Sequence, residues 1–334
     1  MKAILVTGGA GFIGSHVVDR LLAAGERVVC LDSLDTLLYD ASIKRANLQE
    51  AFRSDRFHWV EGDIRDAATL ETLFGRYRFD SLFHAAALAG VRPSIEKPLL
   101  YQDVNVRGTL LLLDYACRHK VKNFVFASSS SVYGADTKVP FSEEDTAGRP
   151  ISPYAATKRA GELLCYTYHH LYGLPVTGLR FFTVYGPRQR PEMAIHRFTR
   201  LIEEGREVPV YGDGTARRDF TYIDDAVAAV VAAIERRLPY EILNIGEAET
   251  VSLMELVSLI EGALGRKATV KHYPVQPGDV PITSADIGRA NRLLGYDPKT
   301  PLKAGLAKFV EWYRGQNKST QLAKQARGGD ASPL

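Results

Sequence analysis

Tyr154 and Lys158 stand four residues apart in the run SPYAATK. Ser152 and Pro153 just ahead of them read as a helix start, because serine caps a helix N-terminus and proline is tolerated in the first turn. On a helix the two side chains share a face, one turn apart. A free phenol titrates near about 10, and an ammonium beside it favours the phenolate. The pair is therefore a candidate proton-transfer centre. By itself a Tyr-x-x-x-Lys spacing is more often a surface tyrosine and a solvated lysine, so its meaning depends on the rest of the chain. Just upstream, FASSSSVYG at 126–134 adds the hydroxyls of Ser129, Ser130 and Ser131.

A second constellation lies at the N-terminus. TGGAGFIG at 7–14 places Gly8, Gly11 and Gly14, with Phe12 and Ile13 between them, directly after the apolar run KAILVT. Glycines between a strand and a helix let the backbone turn tightly and approach a pyrophosphate at the helix N-terminus. Asp32 ends the next apolar run, 18 residues past Gly14. A carboxylate there accepts hydrogen bonds from ribose hydroxyls and repels a 2′-phosphate, which favours NAD over NADP. Asp63 and Ile64 follow the third strand, where an adenine would lie; a helix cap is an equally good reading of GDIRD. Ala85, Ala86 and Ala87 follow the fourth, where small side chains let the backbone pass close to a ligand or simply pack well.

These residues need elements to hold them. Short continuous apolar runs at 2–7, 27–32, 57–60, 81–86, 123–128, 175–182 and 241–246 alternate with helical patterns near 12–23, 67–76, 101–119, 153–172 and 224–236. Strands apolar throughout, alternating with helices, predict an α/β fold: a Rossmann-type doubly wound parallel sheet with helices on both faces. After Phe182 the texture changes, and 183–220 carries seven arginines. The expected organisation is a cofactor domain of 1–182 plus about 221–248, and a smaller mixed α/β substrate domain of 183–220 plus about 249–315. A capped amphipathic helix is predicted at 252–265, a last helix at about 302–314, and a disordered polar tail at 316–334.

Composition narrows the partners. With 46% apolar and 24% charged residues among 334, the chain reads as soluble and globular. A net charge of +3 without a long basic block gives no footprint for nucleic acid. No apolar stretch reaches the roughly 18 residues of a membrane span. Cys30, Cys117 and Cys165 are widely spaced, with neither a metal-ligand pattern nor a disulfide framework. A strand beginning at Lys2 leaves no room for a signal peptide, so a cytoplasmic protein without a metal is expected.

The glycine loop, the serine-rich strand end and the Tyr-x-x-x-Lys pair together resemble the extended short-chain dehydrogenase/reductase family, specifically its NAD-dependent nucleotide-sugar epimerases and dehydratases. The resemblance runs from Lys2 to about Tyr313. It implies tightly held NAD, a C-terminal domain that grips a nucleoside-diphosphate sugar, and a triad of Ser129, Tyr154 and Lys158. In that triad Ser130 and Ser131 compete with Ser129 for the hydroxyl role. The family's 4,6-dehydratases carry an Asp-Glu pair before VYG, and its UDP-glucuronate decarboxylases carry a Glu. This chain has Ser130-Ser131 there, which argues for epimerisation. Thr183, Arg190 and the RPEMA run that Arg190 opens resemble the UDP-glucuronate 4-epimerases, as does DSLDTLLYDASIKRANL at 32–48. A guanidinium binds a carboxylate through two parallel hydrogen bonds, which suits Arg190 to a glucuronate; a surface or phosphate-binding arginine is the alternative.

Further substrate contacts follow from the same resemblance. Arg218 matches a pyrophosphate-binding arginine. Val208 and Tyr211 lie in a loop, 206–214, that packs on the nucleotide base, and Asp279 matches a ribose-binding position. Some relatives place an arginine just before PGD, where this chain has Gln276, so one phosphate contact is lost or replaced. Other outcomes are a 4-epimerase of a neutral sugar such as UDP-glucose or UDP-N-acetylglucosamine, a UDP-glucuronate decarboxylase, or a non-catalytic NAD-sensing module. Apolar residues on two faces of the helices at 101–119 and 153–172 fit a homodimer.

Overall fold

The computed structural model of the chain describes residues 2–135, 138–276 and 278–328, the stretch from 317 as backbone only. Its frame is a seven-stranded parallel sheet built from β1 (Lys2–Thr7), β2 (Val28–Asp32), β3 (Phe57–Glu61), β4 (Arg78–His84), β5 (Phe124–Ser129), β6 (Val176–Phe181) and a later strand, Tyr240–Ile245. Between β6 and that strand the chain forms β7 (Thr183–Tyr185), β8 (Glu207–Tyr211) and β9 (Arg217–Tyr222), which makes the returning strand β10. It pairs with β6 from Tyr240–Val176 to Ile245–Phe181, so the sequence run at 241–246 does rejoin the first sheet. The strand order is β10-β6-β5-β4-β1-β2-β3. It reverses direction between β1 and β4, and an open α/β sheet binds its ligand at the carboxyl ends beside such a switch point.

Two small sheets complete the fold. β11 (Thr250–Ser252) joins β9 and β7, and β12 (Thr269–Tyr273) runs parallel to β8. The helix Leu253–Leu264 begins with a capping box: Ser252 accepts from the Glu255 N–H, and the Glu255 carboxylate accepts from the Ser252 N–H. One hydrophobic core runs without a break from Val6 and Val17, through Leu179 and Val230, to Leu256 and Phe309. The expected two domains therefore share one core on that face of the sheet.

The helix that carries Tyr154 and Lys158 spans Pro153–Tyr172. Ser152 Oγ accepts from the Ala155 N–H at 3.1 Å, the cap that the sequence promises, and Gly173 ends the helix at φ +67°. A Cβ on Gly161 would fall 2.4 Å from the Phe126 ring, so this glycine allows the helix to lie close on β5. Behind it, Glu162 is fully buried and accepts from Ser128 Oγ at 2.6 Å and from Arg180 Nε and Nη2 at 2.8 Å each. Arg180 is 2% exposed on β6, in register between Ser128 and Asn244, with its guanidinium 4.7 Å from the centre of the Tyr133 ring. Arg159 adds a third cationic contact to Glu162 at 2.8 Å.

Two expectations change. The helix near 101–119 is a run of Pro98–Gln102, a π-turn at Asp103–Arg107 and Gly108–Arg118. The extra residue in the turn accompanies inward-facing Asn105, which accepts from the Leu88 N–H and donates to Leu88 O and Thr157 Oγ1. The last helix runs past 314 to Gly328, through most of the segment read as a disordered tail. An existing helix spares the nucleation cost, so a polar stretch can continue it. Residues 329–334 of that tail lie outside the described residues. Among the described residues no helix is long and apolar enough to cross a membrane, and no group of His, Cys, Asp and Glu is arranged to hold a metal ion.

Burial pushes the Glu162 carboxyl up, but Arg180, Ser128 and Arg159 outweigh it and leave the group below its ordinary value. A carboxylate depressed in the fold stabilises above its unfolded pKa and loses that contribution as pH falls through the folded one. Glu162→Ala should cost about 3–5 kcal/mol in urea unfolding at neutral pH, since it leaves Arg180 buried and unpaired. Below a pH of about 4.5, the ordinary glutamate range, the gap between the two proteins should narrow.

Candidate active site

At the carboxyl ends of β1, β4 and β5 a cleft of about 470 Å³ opens. Its walls include Gly8, Gly11, Phe12, Ile13, Gly14, Asp32, Asp63, Ile64 and Ala85–Ala87. The loop after β1 is built for close approach. Gly8 has φ +71°, and a Cβ there would fall 2.5 Å from the Ala86 nitrogen. One on Gly14 would fall 2.2 Å from Gly8 O. Asp32, 7% exposed, accepts from the Ala10 N–H at 3.0 Å and the Leu34 N–H at 2.9 Å, which fixes its carboxylate at the cleft wall. Burial raises its pKa. A carboxylate has about four lone-pair sites, so two remain for a ribose diol.

Asp63 is also at the wall, with its carboxylate gripped by Arg65 at 3.0 and 2.6 Å. That grip, and the Arg65 N–H donated to Asp63 Oδ1 at 2.8 Å, make it as much a turn residue as a ligand contact. A backbone passage that no side chain could occupy, followed by an acid on the next strand, fits a dinucleotide. When bound there, NAD would be held by the 8–14 loop, Asp32, Ile64 and Ala85–Ala87.

The catalytic candidates meet in the same cleft. Ser129, Ser130, Ser131, Tyr154, Lys158, Thr183 and Arg190 all line it. Ser129 accepts from the Ser131 N–H at 3.2 Å, and the two hydroxyls lie 3.0 Å apart. The Tyr154 ring meets Tyr101 edge-on at 6.4 Å, and Tyr101 donates to Ala89 O at 2.6 Å. Burial pushes the Tyr154 phenol above its ordinary value, opposed by a hydrogen bond with Ser129 and by the charge of Arg190.

The Lys158 Nζ donates to Ala127 O at 2.8 Å and sits 5.2 Å from the centre of the Phe126 ring. A buried ammonium turns to the nearest carbonyl, and sharing a helix face does not fix where a four-carbon stem puts its head. Desolvation lowers the Lys158 pKa to about 8, with Cys165 and Glu162 opposing.

Arg190 Nε lies 3.0 Å from Glu192 Oε1, and the Arg190 side chain is 19% exposed. It shares its part of the cleft with Tyr39, a residue of the loop after β2. Tyr39, Tyr101, Glu162 and Met193 were not singled out by sequence. Glu162 had a signal, one turn past Lys158 on the same helix face, and so had Arg180, a charge within an otherwise apolar strand run.

Four expected substrate residues do not line the cleft. Val208 is fully buried in the core, because β8 alternates, with Val208 and Val210 inward and Glu207 and Tyr211 outward. Its side chain therefore faces the core. Tyr211, Arg218 and Asp279 form a cluster with Arg92. Arg92 and Arg218 each place an Nη2 3.7 Å from the Asp279 carboxylate, and the Arg92 guanidinium lies 4.8 Å from the centre of the Tyr211 ring. The cluster adjoins the cleft through Val91, which lines it and against which Gly278 packs.

The sequence profile of the NAD dependent epimerase/dehydratase family matches residues 4–246. With the sheet, the glycine loop and the hydroxyl centre in place, the chain belongs to that family. A UDP-glucuronate 4-epimerase from Thermodesulfobacterium geofontis is 42% identical over 93% of this chain and 96% of its own length. The crystal structure of UDP-glucuronic acid 4-epimerase from Bacillus cereus, in complex with UDP-glucuronic acid and NAD, is 39% identical. It superposes with a TM-score of 0.89 over 95% of this chain and 100% of the other. UDP-glucose 4-epimerase from Thermotoga maritima, with UDP-glucose, is 35% identical with a TM-score of 0.87, over 95% of this chain and 100% of the other.

Gly14→Ala should abolish NAD binding while leaving the protein folded, because its Cβ would push the Gly8–Gly9 backbone of the loop off its path. Titration calorimetry with NAD, alongside circular dichroism, checks this. The turnover rate should fall as pH rises through about 8, when Lys158 loses its proton. Lys158→Arg, where it retains activity, should remove that alkaline limb.

Proposed function

We propose that the chain catalyses the NAD-dependent 4-epimerisation of UDP-glucuronate to UDP-galacturonate through a 4-keto sugar. The observation that carries this is Arg190, beside Thr183 in the cleft that also holds Ser129 and Tyr154. No carboxylate stands at 130–131, so the pair that elimination needs is missing. The cation and hydroxyls suit a sugar acid.

Tyr154, as phenolate, takes the proton of the sugar 4-hydroxyl and later returns it. Ser129 hydrogen-bonds the same oxygen and relays the proton. Lys158, charged and held by Ala127 O, supports the nicotinamide ribose. When bound, NAD would supply a reversible hydride acceptor for C4; the 4-keto sugar turns within the site before the hydride returns to its other face, so none is consumed. The 4-keto sugar has its carboxylate beta to the ketone, and it loses carbon dioxide when that bond aligns with the carbonyl π system. Arg190 and Thr183 hold the carboxylate out of alignment, while Ser130 and Ser131 line the sugar's edge.

Residues 1–182 with about 221–248 hold the cofactor, and 183–220 with about 249–315 grip the nucleotide. Exposed Leu110, Leu163 and Tyr166 support a homodimer joined through the helices that flank β5. Unpaired Cys30, Cys117 and Cys165 suit the cytoplasm. The similarity to UDP-glucose 4-epimerase favours a second reading, a neutral UDP-sugar, in which Arg190 has no carboxylate to bind.

Incubation with UDP-glucuronate, followed by NMR of the anomeric and C4 protons, tests the reading. UDP-galacturonate should appear; a UDP-pentose or no change overturns it. Tyr154→Phe should abolish turnover with UDP-glucuronate still bound. Arg190→Ala should raise KM for UDP-glucuronate at least about tenfold, the worth of a charge-assisted pair, and release some pentose.

A further inference from the structure

Arg190 sits in the turn between β7 and the helix Ala194–Glu203, outside both, so its reach into the cleft depends on what holds that turn. The turn is bent in ways that need support. Gly186 has φ +142°, and Arg188 has φ +63°, in the left-handed region that residues other than glycine, asparagine and aspartate rarely enter. Strain of that kind persists only where surrounding contacts fix it.

Two sets of contacts do so. The inner set is local. Gln189, 2% exposed, donates from Nε2 to Val184 O at 3.1 Å and accepts from the His196 N–H at 3.2 Å, and His196 Nδ1 donates to Gln189 O at 2.6 Å. The outer set comes from the other end of the sequence. His16 Nε2 donates to Pro187 O at 2.9 Å, and Arg188 Nη1 donates to Asp19 Oδ2 at 2.7 Å. Both partners belong to the helix Phe12–Ala23, whose first turn closes the glycine loop. Phe12, His16 and Asp19 fall on one face of it. Phe12 lines the cleft and meets the His16 ring edge-on at 5.9 Å. One helix face thus touches the cofactor wall and then grips the two residues ahead of Gln189 and Arg190. Desolvation lowers the His16 pKa to about 4, with the Pro187 contact opposing, so near neutral pH the ring has a single N–H and commits it to that carbonyl.

We propose that His16 and Asp19 are positioning residues for recognition of the sugar's acid group: by pinning Pro187 and Arg188 to the helix that carries the cofactor loop, they set where the Arg190 guanidinium stands. This rests on the reading of Arg190 as the carboxylate's partner. Neither side chain lines the cleft, so each acts only through the turn. A turn released from the helix would loosen the hold on the carboxylate, and more of the keto acid would reach the alignment that loses carbon dioxide.

Asp19→Arg sets two like charges together and should raise KM for UDP-glucuronate at least about threefold, the low end of one hydrogen bond's contribution. It should also raise the share of turnovers that end as UDP-pentose. The affinity for UDP, which has no sugar, and the NAD content should stay at the parent's values. Adding Arg188→Asp reverses the pair and should restore both KM and product ratio, since aspartate tolerates a left-handed φ. His16→Ala should move both quantities in the direction that Asp19→Arg does. In an Arg190→Ala background Asp19→Arg should change neither, because the group it positions is gone. Should Asp19→Arg fail to fold, as judged by circular dichroism, Asp19→Asn takes its place in the kinetic, UDP and Arg190→Ala comparisons. Unchanged KM and product ratio, an equal loss of UDP affinity, a charge-swapped enzyme no better than the single variant, or a full effect without Arg190 each overturn the proposal. If Arg190→Ala alone leaves turnover of UDP-glucuronate unaltered, the carboxylate reading of Arg190 is what falls.

Discussion

The buried contact between Glu162 and Arg180 sets the geometry on which the site depends. A charge pair with side chains 0% and 2% exposed tolerates little drift, since each partner would otherwise stand unpaired in the core. It ties three segments at one point. Glu162 is one turn beyond Lys158 on the helix. Ser128, bonded to the same carboxylate, precedes Ser129 on β5. Arg180 lies three residues before Thr183, at the exit of β6. The Ser129 hydroxyl, the lysine and the start of the segment from Thr183 are thereby referred to one carboxylate. Asn244 on β10 closes the group by accepting from Tyr133, whose ring lies under Arg180.

The cleft in front of this point is assembled from groups that would each be costly alone. Lys158 is buried and Tyr154 partly so, and desolvation moves them in opposite directions, the phenol up and the ammonium down. Each neutral form is thus favoured unless a partner intervenes. For the lysine the partner is a backbone carbonyl; for the tyrosine it is Ser129 and, at longer range, Arg190. In the proposed reaction, the charge that opposes the rise of the phenol is also the charge suited to the substrate's acid group. Filling one role changes the other, which links recognition to proton transfer through a single guanidinium.

The large sheet is legible in the sequence because its strands are buried on both faces and read as continuous apolar runs. The glycine loop is legible because its spacing follows from backbone clearances that only glycine satisfies. The small sheets are not. β8 contains Pro209 and pairs with β12 roughly sixty residues later, and three-residue strands such as β7 and β11 are too short for any period. The same blindness misplaces Val208, since loop and strand readings assign its side chain to different sides. The direction of the Lys158 head is also invisible in spacing, because it depends on which carbonyl the neighbouring strand presents. Arg92 escapes notice because its stacking partner comes from a segment more than a hundred residues away.

The unbroken core from Val6 to Phe309 limits how such a scaffold can acquire new substrates. A chain whose two lobes had separate cores could exchange its sugar-gripping half as a module. Here a cut at either crossover, near 182 or 248, would split apolar packing shared by Leu179, Val230 and Leu256, leaving both pieces with exposed core surface. Diversification is confined to replacing side chains around a fixed cleft. The short turn holding Ser130 and Ser131 and the segment from Thr183 to Glu192 are the places where single replacements would count.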